Sequence, residues 1–380
     1  MGKIKKKRNK KYNRVFMNTP TEYSVIFVVL FLVVFGIIMV YSSSFYASVS
    51  RQSLEPYVKQ SLFAFIGLVM MMIISRIQIT FLNKFIALGY LLTLFLLVFV
   101  LLIADDVKGA KRWIPVGGFN LQPSEIAKFA VILTLALLLT LFKKHLSEPK
   151  VLLVLGITVA IPLALIAKED LSAGVVFLVI CGAMLFVAYR HIIKLFVFAI
   201  ILMAMGSGFV LLSSYRMDRI KTYLDGPWSD PEGAGRQIIQ SLYAIGSGGL
   251  TGIGLGQSMQ KMGYISEAHN DIIFAIICEE LGLLGGVAII GLYIVLIYRI
   301  AQISISAKSM EHYLVGIGVM THIGIQAFIN IGVATNLIPT TGMPLPFISY
   351  GGSSLIMLLI EIGLVLNIAR HNHIEAMIGE

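Results

Sequence analysis

Long apolar runs broken by short polar intervals dominate the chain from about residue 22 to residue 370. Hydrocarbon offers no partner to an open backbone, so a chain that enters it must do so as helices of about 20 mostly apolar residues. The runs predict ten spans: Tyr23–Tyr41, Gln60–Ser75, Phe85–Ile103, Ile126–Phe142, Val151–Ala167, Ser172–Tyr189, Leu195–Ser213, Ile272–Tyr298, Tyr313–Thr335 and Ser353–Ala369. The first follows a basic arm and lacks a small-residue cleavage signal, which makes it a retained span. The expected fold class is an all-α integral membrane protein. Its organisation is a basic arm over residues 1–21, a polytopic membrane domain over 22–370 and a short tail over 371–380.

Charge orients the spans. The first 21 residues carry eight Lys and Arg and no acid before Glu22, so the arm should stay in the cytoplasm. Ten crossings return the C-terminus to that side and leave one long extracytoplasmic loop, 214–270, between helices seven and eight. Composition agrees: 57% of residues are hydrophobic and 13% charged, against about a quarter charged in soluble domains. A soluble enzyme is excluded. The net charge of +10 comes mostly from the arm, so no nucleic-acid partner is needed to explain it. Cys181 and Cys278 lie in apolar stretches, which leaves no disulfide framework or thiolate metal cluster, and no metal ligands are assigned.

The cations outside the arm and the inner loops are more informative. Lys108, Lys111, Arg112 and Lys128 surround the outer ends of helices three and four, and Arg216, Arg219, Lys221, Arg236 and Lys261 lie in the long loop. Either they form an anion site or they pair with acids such as Glu125, Asp218 and Asp225. The loop is far longer than the usual 4–6 residues, and its Tyr223, Trp228, Ile238, Leu242 and Tyr243 predict packing. Neither GxxxxGK[ST] nor GxGxxG occurs, which argues against ATP-driven transport within the chain.

Four segments carry candidate chemistry. In KGAKRWIPVGGFNLQPSEIAKFA (108–130), Lys111, Arg112 and Lys128 suit a phosphorylated headgroup and Trp113 a sugar or lipid. The structural alternative is that Ser124 and Glu125 cap a helix while Glu125 and Lys128, three residues apart, form a local pair. In the second, 227–261, six glycines between Gly246 and Gly256 either cradle phosphate or only shape a loop. The third, YISEAHNDIIFAIICEELG (264–282), puts Glu267, His269 and Asp271 at the mouth of helix eight, where Asp271 is either a general base or an N-cap. Glu279 and Glu280 lie deeper, where function or strong pairing is the default. The last, LIPTTGMPLPFISYGGSS (337–354), is a proline-rich segment that includes Ser349; Glu361 follows mid-helix with His322 as its expected partner.

In this order, KGAKRW with QPSEIAK, DPEGAGRQIIQSLYAIGSGG with GIGLGQS, EAHNDIIFAIICEELG and PTTGMPLPFISYGGSS resemble the SEDS family of bacterial cell-wall proteins (FtsW, RodA and SpoVE), over nearly the whole chain after the arm. The glycine-rich stretch is more similar to the FtsW/SpoVE branch. Asn270 departs from the Thr or Ser more often found before the aspartate, and Lys111 from a common Arg.

The resemblance implies an inverting peptidoglycan glycosyltransferase that polymerises lipid II on the outer face of the bacterial cytoplasmic membrane, with a septal, division-type role. Asp271 then maps onto the essential loop aspartate and Trp113 onto the functional tryptophan. Lys111, Arg112, Glu125, Lys128, Arg216, Arg219, Glu267, His269 and Ser349 become substrate-binding candidates. No resident cofactor is expected, although a divalent cation, Mg or Mn, is compatible with a diphosphate. The implied partners are lipid II, a class B penicillin-binding protein transpeptidase, other division proteins and membrane lipids. The alternatives are a lipid II flippase, a scaffold for the transpeptidase, or an elongation- or sporulation-specific paralogue.

Overall fold

A computed structural model describes residues 20–51, 55–103, 112–116, 119–189, 214–233, 235–265 and 268–379. In chain order the elements are α1 (Pro20–Arg51), α2 (Glu55–Ile74), the short α3 (Ile79–Leu82), α4 (Ile86–Ile103), β1 (Ile114–Val116), β2 (Phe119–Leu121), α5 (Pro123–Leu141), α6 (Pro149–Glu169) and α7 (Leu171–Ala188). There follow α8 (Ser214–Asp225), a 3₁₀ turn (Pro227–Ser229), α9 (Arg236–Ser247), α10 (Ile273–Ile305), α11 (Met310–Ala334) and α12 (Gly352–Gly379). Among the described residues, nine helices are long and apolar enough to cross a membrane. They match nine of the ten expected spans. The seventh, Leu195–Ser213, lies outside the described residues, as does the arm up to residue 19.

Three spans run well past their expected ends. α1 continues beyond Tyr41 because Ser43 and Ser44 donate to the carbonyls of Met39 and Val40, at 2.7 and 2.6 Å, so these polar side chains are satisfied within the helix. α10 continues from the expected Tyr298 to Ile305. α12 continues through Arg370 and His371 to Gly379, since only the stretch in hydrocarbon has to be apolar. α5 and α6 begin at Pro123 and Pro149, whose missing N–H costs a first helical turn nothing.

α12 packs along α2, and α11 packs against α10, α7 and α5. The most apolar stretch of α12 is 78% buried and that of α4 only 22%, which puts α12 at the centre of the bundle and α4 at its rim. Exposed Phe27, Leu88 and Leu102 are then lipid-facing.

α10 is broken at Gly282, whose φ of 70° and ψ of −169° are not helical. The glycine-rich stretch after α9 runs into this break. The N–H groups of Ile253 and Gly254 donate to the carbonyls of Glu279 and Glu280, both at 3.0 Å, and those of Leu283 and Leu284 donate to Gly249 and Leu250 at 2.9 and 3.2 Å. A Cβ at Gly252 would strike the Glu280 carbonyl, and one at Gly282 would strike Leu250 and Gly252 backbone, so contact between the two chains requires glycine at both. The amides of residues 252–254 are thereby used inside the protein rather than offered to phosphate.

Candidate functional site

Two non-helical segments meet at one end of the bundle. One is 268–272, leading into α10; the other is 335–351, joining α11 to α12. Pro339, Pro344 and Pro346 deny the second segment helical geometry and backbone donors, so its carbonyls are collected by side chains from elsewhere. Arg219 of α8 donates to Thr340 (3.1 Å), Asn330 and Gln326 of α11 to Met343 (2.8 Å) and Pro344 (3.1 Å), and Tyr293 of α10 to Pro346 (2.5 Å).

Three consecutive carbonyls of the first segment are captured in turn. Tyr350 N–H donates to His269 O (2.9 Å), Ser349 Oγ to Asn270 O (2.6 Å) and Asn330 Nδ2 to Asp271 O (2.9 Å). Ser349 Oγ also accepts from Leu345 N–H at 2.7 Å, and Gln60 of α2 donates to Ser349 O at 3.1 Å. The Asp271 backbone is fixed from α11 while its carboxylate accepts from Gln237 Nε2 of α9 at 3.2 Å. The side chain is half-buried. The His269 ring meets Tyr350 edge-on, with centroids 5.6 Å apart.

The basic motif is joined to the same end. β1 and β2 pair antiparallel, Ile114 opposite Leu121, with half-buried Trp113 just before β1. Ser353, at the start of α12, donates to Asn120 O (3.1 Å) and accepts from Gln122 N–H (3.2 Å), so the hairpin is tied to the segment that holds Asp271. Arg112 pairs with Asp170 at 3.2 Å and donates to Glu169 O at 3.1 Å. About a third of its side chain stays exposed, and it lines a cleft with Ser124, Leu165 and Asp170.

Deeper charges are matched inside the protein. Lys128 pairs with Glu125 at 2.7 Å, both essentially fully buried. His322 Nδ1 lies 2.8 Å from Glu361. Lys261 contacts Glu280 at 2.7 Å and Ser42 at 3.0 Å, while Ser42 also donates to Glu280 at 2.7 Å. Glu279 accepts from Ser258 Oγ and, at 3.0 Å, from Met259 N–H. Of the outward cations, Arg112, Lys128 and Lys261 thus pair with acids, and two of those acids, Asp170 and Glu280, are far away in sequence.

A family model described as a cell cycle protein, FtsW/RodA/SpoVE, matches residues 23–374. The chain belongs to that family. FtsW/RodA/SpoVE relatives include the stage V sporulation protein E of Bacillus subtilis, 41% identical over 93% of this chain and 98% of its own length. A probable peptidoglycan glycosyltransferase FtsW of Geobacter sp. is 37% identical over 91% of this chain and 95% of its own. Among solved structures, one described as showing structural coordination of polymerization and crosslinking by a peptidoglycan synthase complex superposes with a TM-score of 0.77 at 26% identity, covering 92% of this chain and 98% of that one. RodA of Thermus thermophilus does so with a TM-score of 0.67 at 25% identity, covering 92% and 97%. By family the chain is a multi-pass membrane glycosyltransferase.

The structure brings Asp271, His269 and Ser349 together, and Arg219 of α8 reaches the Thr340 carbonyl of the segment that carries Ser349. Arg112 and Trp113 sit on the adjoining hairpin, and Glu125 and Lys128 lie behind them. Arg216 belongs to α8. Lys111 and Glu267 lie outside the described residues. Sequence reasoning missed Gln60, Gln237, Asn330 and Ser353, since a lone amide or hydroxyl in an apolar run carries no motif. Asn330, Gln326 and His322 do share a four-residue spacing on one face of α11, which was the available signal.

Proposed function

We propose that this FtsW/RodA/SpoVE-family protein polymerises lipid II into glycan strands on the outer face of the cytoplasmic membrane, as the septal polymerase of cell division, beside a class B transpeptidase. The supporting observation is Asp271: a half-buried carboxylate at the mouth of α10, fixed through its own carbonyl by Asn330 and contacted by Gln237. In this reading Asp271 takes the proton of the acceptor GlcNAc 4-hydroxyl as that oxygen attacks the donor MurNAc anomeric carbon. The new glycosidic C–O bond forms with inversion, the anomeric C–O bond to phosphate breaks, and polyprenyl diphosphate leaves. That leaving group needs charge stabilisation more than a proton, so the second carboxylate of a glycosidase is not required.

Arg112, with its partly exposed guanidinium, is proposed to meet the diphosphate together with Lys111, Arg216 and Arg219. Lys128, committed to Glu125, supports the hairpin side from within. Trp113 is proposed to pack on the donor's sugar or lipid, with Glu267, His269 and Ser349 bordering the acceptor. Among the described residues no group of three or more His, Cys, Asp or Glu side chains could hold a metal. An assisting Mg or Mn ion would be held largely by the substrate's diphosphate.

The test is lipid II polymerisation by the purified complex with its transpeptidase, with and without divalent cation. Asp271→Asn is expected to lower the rate by about 10²–10⁴-fold, the usual contribution of a general base. Undiminished polymerisation would overturn the assignment, and lipid II translocation in vesicles without polymerisation would favour a flippase. A second reading, a sporulation-stage polymerase, is favoured by the 41% identity to stage V sporulation protein E. Recruitment of a fluorescent fusion to vegetative septa supports the first; recruitment confined to spore formation supports the second.

A further inference from the structure

Past its break at Gly282, α10 runs as continuous helix from Leu283 to Ile305, about 34 Å at 1.5 Å per residue. The end of α10 remote from Asp271 carries Tyr298, Arg299 and Gln302, linked by Arg299–Gln302 and Gln302–Tyr298 hydrogen bonds of 2.9 Å. Tyrosine and arginine of this kind mark headgroup level. From Arg299 back to Leu283 the helix covers about 24 Å, less than the roughly 30 Å of hydrocarbon, so the break at Gly282 falls inside the hydrocarbon layer. Leu283 and Leu284, just past the break, donate their N–H groups to the carbonyls of Gly249 and Leu250. The glycine-rich stretch is carried to the same depth.

Its side chains suit that depth. Leu250, Leu255 and Met259 are 69%, 56% and 63% exposed, and Leu283 and Leu284 beside them are 57% and 64% exposed. This apolar surface continues along α10 through Val287, Ile294 and Val295. No Asp, Glu, Lys or Arg occurs from Gly246 to Gln260, and the next residue, Lys261, is turned inward onto Glu280. Non-helical backbone is tolerated at membrane depth where its polar groups are satisfied by protein. Here Gly252 N–H donates to Gly248 O at 2.8 Å, while Ile253 and Gly254 donate to α10.

We propose that residues 249–259 form a re-entrant segment whose Leu250, Leu255 and Met259 contact the acyl chains of the leaflet on the Asp271 side. About a fifth of the interval expected to be an extracytoplasmic loop, 11 of its 57 residues, is then part of the membrane surface of the protein, continuous with the lipid-facing strip of α10. The occupant is lipid because the strip it extends is the flank of a spanning helix and no charge interrupts it.

The full chain, reconstituted in phosphatidylcholine vesicles, tests this with an environment-sensitive fluorophore on Leu250→Cys, Leu255→Cys or Met259→Cys. Glu232→Cys is the exposed control, and the native cysteines are buried, so the unsubstituted protein gives the background. Phospholipids with a nitroxide high on the acyl chain are expected to quench positions 250, 255 and 259 several-fold more than position 232. Iodide on both sides of the bilayer should show the reverse order. Iodide quenching at the three positions equal to that at 232 overturns the proposal, and shielding from both quenchers overturns it in favour of a protein cover. Retained lipid II polymerisation by each labelled variant certifies its fold, and three independent positions guard against failure of one.

Discussion

Lys261, Glu280 and Ser42 meet by charge and hydroxyl in a buried knot, whereas His269, Asn270 and Asp271, which lie between Lys261 and Glu280 in the chain, are held by their backbone carbonyls. Below the mouth, three buried acids are answered by a base or a hydroxyl: Glu125 by Lys128, Glu361 by His322, Glu279 by Ser258. At the mouth, Tyr350, Ser349 and Asn330 grip oxygen atoms that never titrate. Buried charges hold helices to one another because one left alone in low dielectric is prohibitive. Main-chain anchoring instead fixes where a carboxylate stands, whatever its protonation state, which is what a group that must gain and lose a proton requires.

The sharpest way to break this contrast is to compare Asp271→Asn with Lys261→Met. The first is expected to cost about 10²–10⁴-fold in polymerisation with an unchanged unfolding transition. The second leaves the buried Glu280 uncompensated and is expected to lower stability by about 3–5 kcal/mol, read by denaturant unfolding of the purified protein. A Lys261→Met protein as stable as the parent would erase the distinction. Removal of Glu361 by substitution to Gln comes next: it weakens the contact with His322 and should cost about 1–3 kcal/mol of stability, with activity per folded molecule retained.

Asn330→Ala tests the border between the two regions. It releases the carbonyls of both Asp271 and Met343, so turnover is expected to fall by about 10–100-fold through misplacement of the base, with about 1–3 kcal/mol lost in unfolding. The smallest effect is expected for Gln237→Ala, which removes one long, part-buried amide hydrogen bond to the carboxylate. At about 1.5 kcal/mol, the low end for a charged acceptor, this is a fall of about tenfold in kcat, with KM and the unfolding midpoint unchanged. A larger loss of stability than of kcat would recast Gln237 as a packing residue of α9.

The spans were legible because hydrocarbon imposes one solution on the backbone, and the sequence pattern reports it directly. The break at Gly282 was not, since the apolar run of α10 passes straight through it and only the approach of another backbone reveals why glycine stands there. Among the ion pairs, Glu125–Lys128 was readable from its three-residue helical spacing, and His322–Glu361 from the cost of a mid-membrane acid. Arg112–Asp170 and Lys261–Glu280 were not, because tertiary packing chooses those partners. Asp271 was marked by its place before an apolar run. Its keepers Gln237 and Asn330 sit 34 and 59 residues away with nothing local to announce them.

The three carbonyls between His269 and Asp271 would be present with any residue at the first two positions. Replacing Asn270 by Ser or Thr removes none of the captured atoms, so the mouth can drift in side-chain identity without drifting in shape. A segment anchored this way can exchange the side chains at 269 and 270 while the carboxylate beside them keeps its address.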